Sequence, residues 1–530
     1  MSKKWIKWSL NLMLILSLVL SLMACGGEQS TPKATSAPTG TTTSGKATEP
    51  TETEDPFLTG EKPELNILMY YLPYDMHEQP SHALIEELTG YKIHWFNLPQ
   101  ENPVEKLMLD IAGGVSYDLI DRAIDGAAYG QLKAQNALLP VDTYLEKYGD
   151  NILAAVSDIA WKAVTGDDGK RYGIPLEAFD GPRDETGDPY GVLKGGLGFR
   201  SDALESIGME LPTTIDELYN VLKAYQDATG KIPFTSAATG WYNFILSGFG
   251  MGDAGWYEVD GTYVPRIKHP EMIEYLKYVQ KLYAEGLLDN DMPINATANA
   301  REKYSSGNAM ATPLYFWDIP SMKAALETSN PNCKNLIATF LAPDKNTKPI
   351  VYVNQGISNI ACIPKTSKNP EHAIIWFNIL SDKDNFRKIY IGEEGVSYEI
   401  KDGKYYPIFP KFQEYENADK FTGVVQSDVV FQMWQARARK TPEMAEAYDQ
   451  MNSRIGDYVI KPYYDSYASS LPAVMNSQLT LNTMINDKLI KAIAEGTDAQ
   501  AALDDIIAEW DKNGGLEQEQ AINEWYDKNF

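Results

Sequence analysis

Beyond residue 63 the apolar positions fall into short runs divided by turn residues, and the period within each run predicts an element. Residues 65–70 form a short apolar run, the pattern of a buried strand. Leu84, Ile85 and Leu88 then share one helical face, with Ser81 as its cap and Gly90 as its stop. Residues 91–96 predict a second strand, 105–112 a helix, 117–121 a third strand, and 132–137 a helix ended by Leu138-Leu139-Pro140. Strands alternating with helices imply an α/β domain with a parallel sheet. Ligands of such sheets bind beyond the carboxyl ends of the strands. Tyr70, Tyr71 and Asp75 follow the first strand, and Asp121, Arg122 and Asp125 follow the third, so all six fall on one rim.

Further along, Thr214-Ile215-Asp216-Glu217 has the form of a capping box. It opens a helix whose buried face is Leu218, Val221, Leu222 and Tyr225. Pro270 opens another helix through Met272, Leu276, Val279 and Tyr283, stopped by Gly286. Residues 350–363 alternate over a long stretch and predict one strand. Asn369-Pro370 opens a helix carrying Ile374, Phe377 and Leu380. Thr497 and Gln500 form a second capping box before Leu503, Ile506, Ile507 and Trp510. Gly514-Gly515 breaks that helix, and a short helix with Ile522 and Trp525 closes the chain.

The start of the chain reads differently. Lys3, Lys4 and Lys7 precede an apolar run over residues 10–22, too short for an ordinary membrane span. A basic start, an apolar middle and small residues before a cut describe an export signal. Leu22-Met23-Ala24-Cys25 resembles the lipobox of bacterial lipoproteins, which implies that residues 1–24 are removed and that Cys25 carries the lipid. Residues 25–63 are rich in Thr, Ser, Gly, Pro and Glu, a composition that cannot offset chain entropy by burial and suits a spacer.

Composition narrows the function. The 530 residues are enough for two or three domains. A net charge of −26 repels nucleic acid and anionic membrane surfaces, so neither is an expected partner, and the membrane is reached by the lipid alone. Cys333 and Cys362 have no metal spacing, and whether they pair is left open by the sequence. There is no H-E-x-x-H, P-loop or G-x-S-x-G. Residues 250–255 match G-x-G-x-x-G but follow no convincing strand, so a Gly-rich loop is the better reading. No cofactor is expected and no metal ligands stand out; whether a metal such as calcium binds is left open by the sequence.

Three stretches carry a family resemblance. Gly169-Lys170 with Tyr172-Gly173-Ile174-Pro175 resembles "G-K-x-Y-G-I-P". Arg200-Ser201-Asp202-Ala203-Leu204, Gly208, Pro212 and Thr214 to Leu218 resemble "N-K-D-x-L … G … P-x-T-W-D-E-L". Ile363, Lys365 and Ser367-Lys368-Asn369-Pro370-Glu371 resemble "I-x-K-x-S-K-N-P-E". Together they are similar to the extracellular solute-binding proteins of ABC importers, family 1, the maltose-binding-protein-like lipoproteins. The resemblance implies a periplasmic-binding-protein-like type II fold, with two α/β lobes around a cleft and hinge crossings between them. The first lobe would hold 64–177 plus 357–391 and the second 178–356 plus 392–530, with crossings at 177–198 and 352–358 and a return near Gly392. It implies a monomer on the outer face of a Gram-positive cell membrane. That monomer would catch a carbohydrate, an oligosaccharide by expectation, for the transmembrane permease subunits.

A sugar offers apolar ring faces and a belt of hydroxyls, so its site needs flat aromatics edged by polar groups. Trp317, after the small-residue run 307–310, lies where the family stacks an aromatic on sugar. Trp241 lies where the family has a sugar-contacting Tyr. Asp121, Arg122, Asp125 and Glu177 match polar rim positions, and Tyr71, Asp75, Gln355 and Tyr398 complete the candidates. The insertion at 180–195 is rich in Gly, Pro and charge and implies an enlarged or lidded cleft. Two other readings are a membrane-anchored glycoside hydrolase and a surface sensor without transport.

Overall fold

The computed structural model describes residues 55–177, 193–238, 243–426, 430–469 and 471–530. Two hydrophobic cores organise them. The first gathers apolar side chains from Leu65 to Leu176, then Ile357 to Leu380, Ile389, Phe421, Val424 and Tyr467. The second gathers Leu193 to Val353 and Ala438 to Tyr526.

In the first core the strand Leu65–Met69 lies between Ile93–Asn97 and Leu119–Ile120, all parallel. The expected third strand is thus reduced to two residues. Its edge is extended by a bridge from Ile120 to Cys362. The helix after the first strand runs Pro80–Thr89. Pro80 takes the first helical position, Gln79 is the cap residue, and Ser81 is buried instead. The helix expected at 132–137 begins earlier and spans Gly126–Ala134, because Asp125 caps it.

The second core is built on a four-stranded sheet in the order Asn335–Ala338, Gly195–Arg200, Ala309–Tyr315, Ile232–Phe234. The helix Ile215–Thr229 packs there through Leu218, Val221, Leu222 and Tyr225, as its pattern predicts. Thr214 accepts from the Glu217 N–H at 3.2 Å. The Glu217 carboxylate accepts in turn from Thr213 N–H and hydroxyl at 3.0 and 2.8 Å. Near the end of the chain Asp498, not Thr497, caps the helix Ala499–Trp510.

The run 350–363 is not one strand. It breaks at Gln355-Gly356 into Ile350–Asn354, paired parallel with Val459–Tyr463, and Ile357–Ala361, paired antiparallel with Ile174–Glu177. The alternation continues because both halves are half-buried, but their partners belong to different cores. The break is therefore a crossing. Gly356 is tight there: a Cβ would come within 1.8 Å of Ser466 Oγ. Tyr464 and Trp525 pack against both cores.

The return expected near Gly392 comes later. The hairpin Tyr398–Lys401/Lys404–Pro407 and the turn Lys411–Tyr415 form a small cluster with the helix Lys383–Ile391. That cluster sits on the helix Pro80–Thr89, and Asn417 Nδ2 donates to Gln79 Oε1 at 2.9 Å. The chain crosses back through the helix Val430–Ala438, whose Trp434 ring lies 6.1 Å from Phe316. Cys362 lies in the first core and Cys333 in a small cluster of the second lobe, and both are free thiols.

Candidate functional site

The strand Ala309–Tyr315 ends in a tight turn, Phe316–Asp318, and the helix Ile319–Ser329 follows at once. Asp318 holds the turn. Its carboxylate accepts from Tyr315 N–H at 3.0 Å and pairs with the Arg301 guanidinium at 2.7 Å. Phe316 points inward and meets the Tyr448 ring at 5.4 Å. Trp317, one residue on, is turned out and is 45 % exposed. Its indole lies parallel to the Tyr315 ring, 3° between planes and 4.6 Å between centroids. A large apolar ring held open to water against its preference, with a second ring backing one face, is suited to receive the apolar face of a ligand.

On the first lobe the rim residues do follow the carboxyl ends of neighbouring parallel strands. The structure gives them different tasks. Asp121 is buried, with its N–H bonded to Leu68 O at 2.8 Å and its carboxylate 2.6 Å from Arg122. Burial pushes that carboxyl up, and the guanidinium opposes the shift. Arg122 has a positive φ of 55°. This turns its side chain toward Thr422 Oγ1 at 3.0 Å and Gly423 O at 2.9 Å. Asp125 is exposed but occupied, accepting from Ala128 N–H at 2.8 Å as a helix cap. Asp75 likewise caps a short turn and accepts from His77 N–H at 2.9 Å. Tyr71 is 41 % exposed.

Three further candidates are buried. Glu177 accepts from Ser157 N–H at 2.9 Å, Ser157 Oγ at 2.7 Å and Tyr467 Oη at 2.5 Å. It ties the crossing strand to both flanking segments and presents no rim. Gln355 is buried in the crossing, its N–H bonded to Tyr463 O at 3.0 Å. Tyr398 is buried in the small cluster, stacked on Tyr405 at 5.4 Å, and belongs to that hairpin's packing. Trp241 and the insertion at 180–195 lie outside the described residues except for its last three positions, as does Cys25.

Two aromatic residues in contact with the turn Phe316–Asp318 were not singled out by the pattern. Tyr315 gives Trp317 its backing, and the run Tyr315-Phe316-Trp317 at a strand end was the available signal. Trp434 is half-buried beside Phe316 on the helix that crosses back. No sequence period links residues 316 and 434, so only the fold brings them together. Among the described residues no group of three or more His, Cys, Asp or Glu side chains is placed to hold a metal.

Two hydrophobic cores, each with its own strands and helices, are joined by several chain segments. Residues 82–398 match the family described as bacterial extracellular solute-binding protein, and the chain belongs to it. The Bacillus subtilis lipoprotein LipO is 23 % identical over 85 % of this chain and 89 % of its own. The polygalacturonan/rhamnogalacturonan-binding protein YtcQ of the same organism is 22 % identical over 87 % of this chain and 91 % of its own. Among solved structures, the alginate-binding protein AlgQ2 without calcium ion superposes with a TM-score of 0.65 at 20 % identity. That match covers 90 % of this chain and all of AlgQ2. The fold is thus of the periplasmic-binding-protein-like kind.

Proposed function

We propose that this protein is the receptor subunit of an ABC importer, catching an oligosaccharide between its lobes and handing it unaltered to the permease. The observation that carries the reading is Trp317, exposed at a strand end and backed by the parallel ring of Tyr315. The similarity to YtcQ and AlgQ2, whose names state glycan binding, supports a sugar as the solute. The lipobox at Cys25 and the similarity to the lipoprotein LipO support tethering by lipid on the outer face of the membrane. A ligand touching both lobes gains its full set of contacts only when they close, so it shifts the population toward the closed form.

The test is a thermal-shift screen of oligosaccharides, pectic and alginate fragments included, followed by product analysis of every hit. A true ligand stabilises the folded protein by about 2.7 kcal/mol at 100 times its Kd, and it is recovered intact. A panel without a single shift, or a ligand that returns cleaved, overturns the reading.

A further inference from the structure

A cavity of about 310 Å³ lies in the second lobe, and none of the expected contact residues lines it. Its walls come from the hairpin Trp256–Val259/Thr262–Pro265, the turn Arg266–Lys268, the helix Pro472–Glu495 and the last two helices of the chain. Gln478, Asn482 and Asn486 stand four residues apart on one helix, so they share one face and point the same way. Gln518 joins them from the final helix, its Nε2 donating to Ser477 Oγ at 2.8 Å. Four carboxamides therefore line one hollow, a side-chain type that carries both donors and an acceptor, although Gln518 has already spent one N–H on Ser477. The Asn486 Oδ1 is buried and has no hydrogen-bond partner among the described residues.

The apolar wall is equally specific. The indoles of Trp256 and Trp510 meet edge to face at 6.2 Å. Trp510 Nε1 already donates to Glu519 at 2.9 Å, so what this ring offers the cavity is its apolar surface. Gly255 and Trp256 are held by the Asp465 carboxylate, which accepts from their N–H groups at 2.8 and 3.2 Å. That wall is thus preorganised. None of the lining residues bears a carboxylate, in a chain of net charge −26. The charged residue among them, Arg266, spends Nη2 on the carbonyls of Gly252 at 2.9 Å and Ala254 at 2.6 Å.

Amides without carboxylates, opposite indole surface, select a neutral polyhydroxylated ring: hydroxyls pair with the amides and C–H faces lie on the aromatics. The volume sits at the bottom of the range of about 300–1,000 Å³ for small-molecule pockets, which suits one ring and not a chain of them. We propose that this cavity is a second binding site, separate from the Trp317 surface, for a single neutral monosaccharide unit.

The experiment is saturation-transfer NMR on the full-length protein with glucose, galactose, mannose and rhamnose, each alone. At least one of them should receive saturation. Asn482→Trp, at an exposed helical position that lines the cavity, should weaken that binding by about tenfold or more, as should Asn486→Leu. Trp317→Ala should leave it unchanged. Asn482→Trp alters no buried contact, so its unfolding transition should match the parent's, and it carries the test even where Asn486→Leu fails to fold. Absence of transfer from all four sugars overturns the proposal. So does a signal that Trp317→Ala abolishes and Asn482→Trp spares. The screen for oligosaccharides in the cleft can fail without touching this result.

Discussion

The two lobes meet the solvent at their strand ends in opposite ways. The second lobe leaves an apolar ring exposed: Trp317 sits outside, stacked on Tyr315, in a turn where the Asp318 carboxylate accepts from the Tyr315 N–H and pairs with Arg301. The first lobe buries a carboxylate: Asp121 lies inside, one oxygen paired with the partly buried Arg122, which also bonds Thr422 and Gly423, and the other without a hydrogen-bond partner among the described residues. Both places look alike in the sequence, as functional residue types after a strand. They differ in what the fold asks of them. A buried ion pair must satisfy its own atoms or cost stability, whereas an exposed indole gains from any partner that dries it. Exposure against chemical type, more than residue type alone, distinguishes the two places.

The largest test of that contrast is Asp121→Ala. Removing the carboxylate leaves the Arg122 guanidinium in a buried site without its ion-pair partner, and the expected loss is about 3–5 kcal/mol of unfolding free energy. Urea denaturation measures it. Weaker ligand binding at unchanged stability would place Asp121 in the site and break the contrast. Next comes Trp317→Ala, which should weaken oligosaccharide binding roughly tenfold, about 1.4 kcal/mol. Its unfolding free energy should move by less than about 0.5 kcal/mol; calorimetry and denaturation together check both halves. A Kd that does not change removes this ring from the site.

The smallest effect sharpens the boundary between the two classes. Glu217 is a scaffold carboxylate that remains partly wet. The bonds from Thr213 hold its carboxyl at about 2, below the ordinary 4.5. A depressed carboxyl contributes stability that is present above pH 4.5 and is lost as pH falls toward about 2. Glu217→Gln should therefore cost about 0.5–1 kcal/mol near neutrality, with parent and variant converging on acidification. Equal sensitivity at every pH would mean that the side chain acts through packing.

Much of the scaffold was legible along the chain. The helices at 80–89, 215–229, 272–284 and 370–380 follow from apolar spacing with Gly, Pro or Thr at their ends. Each of those signals acts over a few residues, and local sterics and local hydrogen bonds decide them. The alternation over 350–363 hid the break at Gln355-Gly356, because it describes a half-buried strand and says nothing about which sheet receives it; only the family resemblance implied a crossing at 352–358. The delayed return through Val430–Ala438 was hidden for the same reason: burial on either lobe demands the same residues.

The candidate site divides along that line. Chain order alone places Tyr71, Asp121 and Trp317 at strand ends, since a strand's direction and its following loop are local facts. Burial then sorted them. Glu177 became a bolt between Ser157 and Tyr467, 290 positions further on, Tyr398 went into a small hydrophobic cluster, and Trp317 stayed in the open. Solvent access depends on which distant segments arrive to cover a side chain, and a linear pattern carries no record of those arrivals.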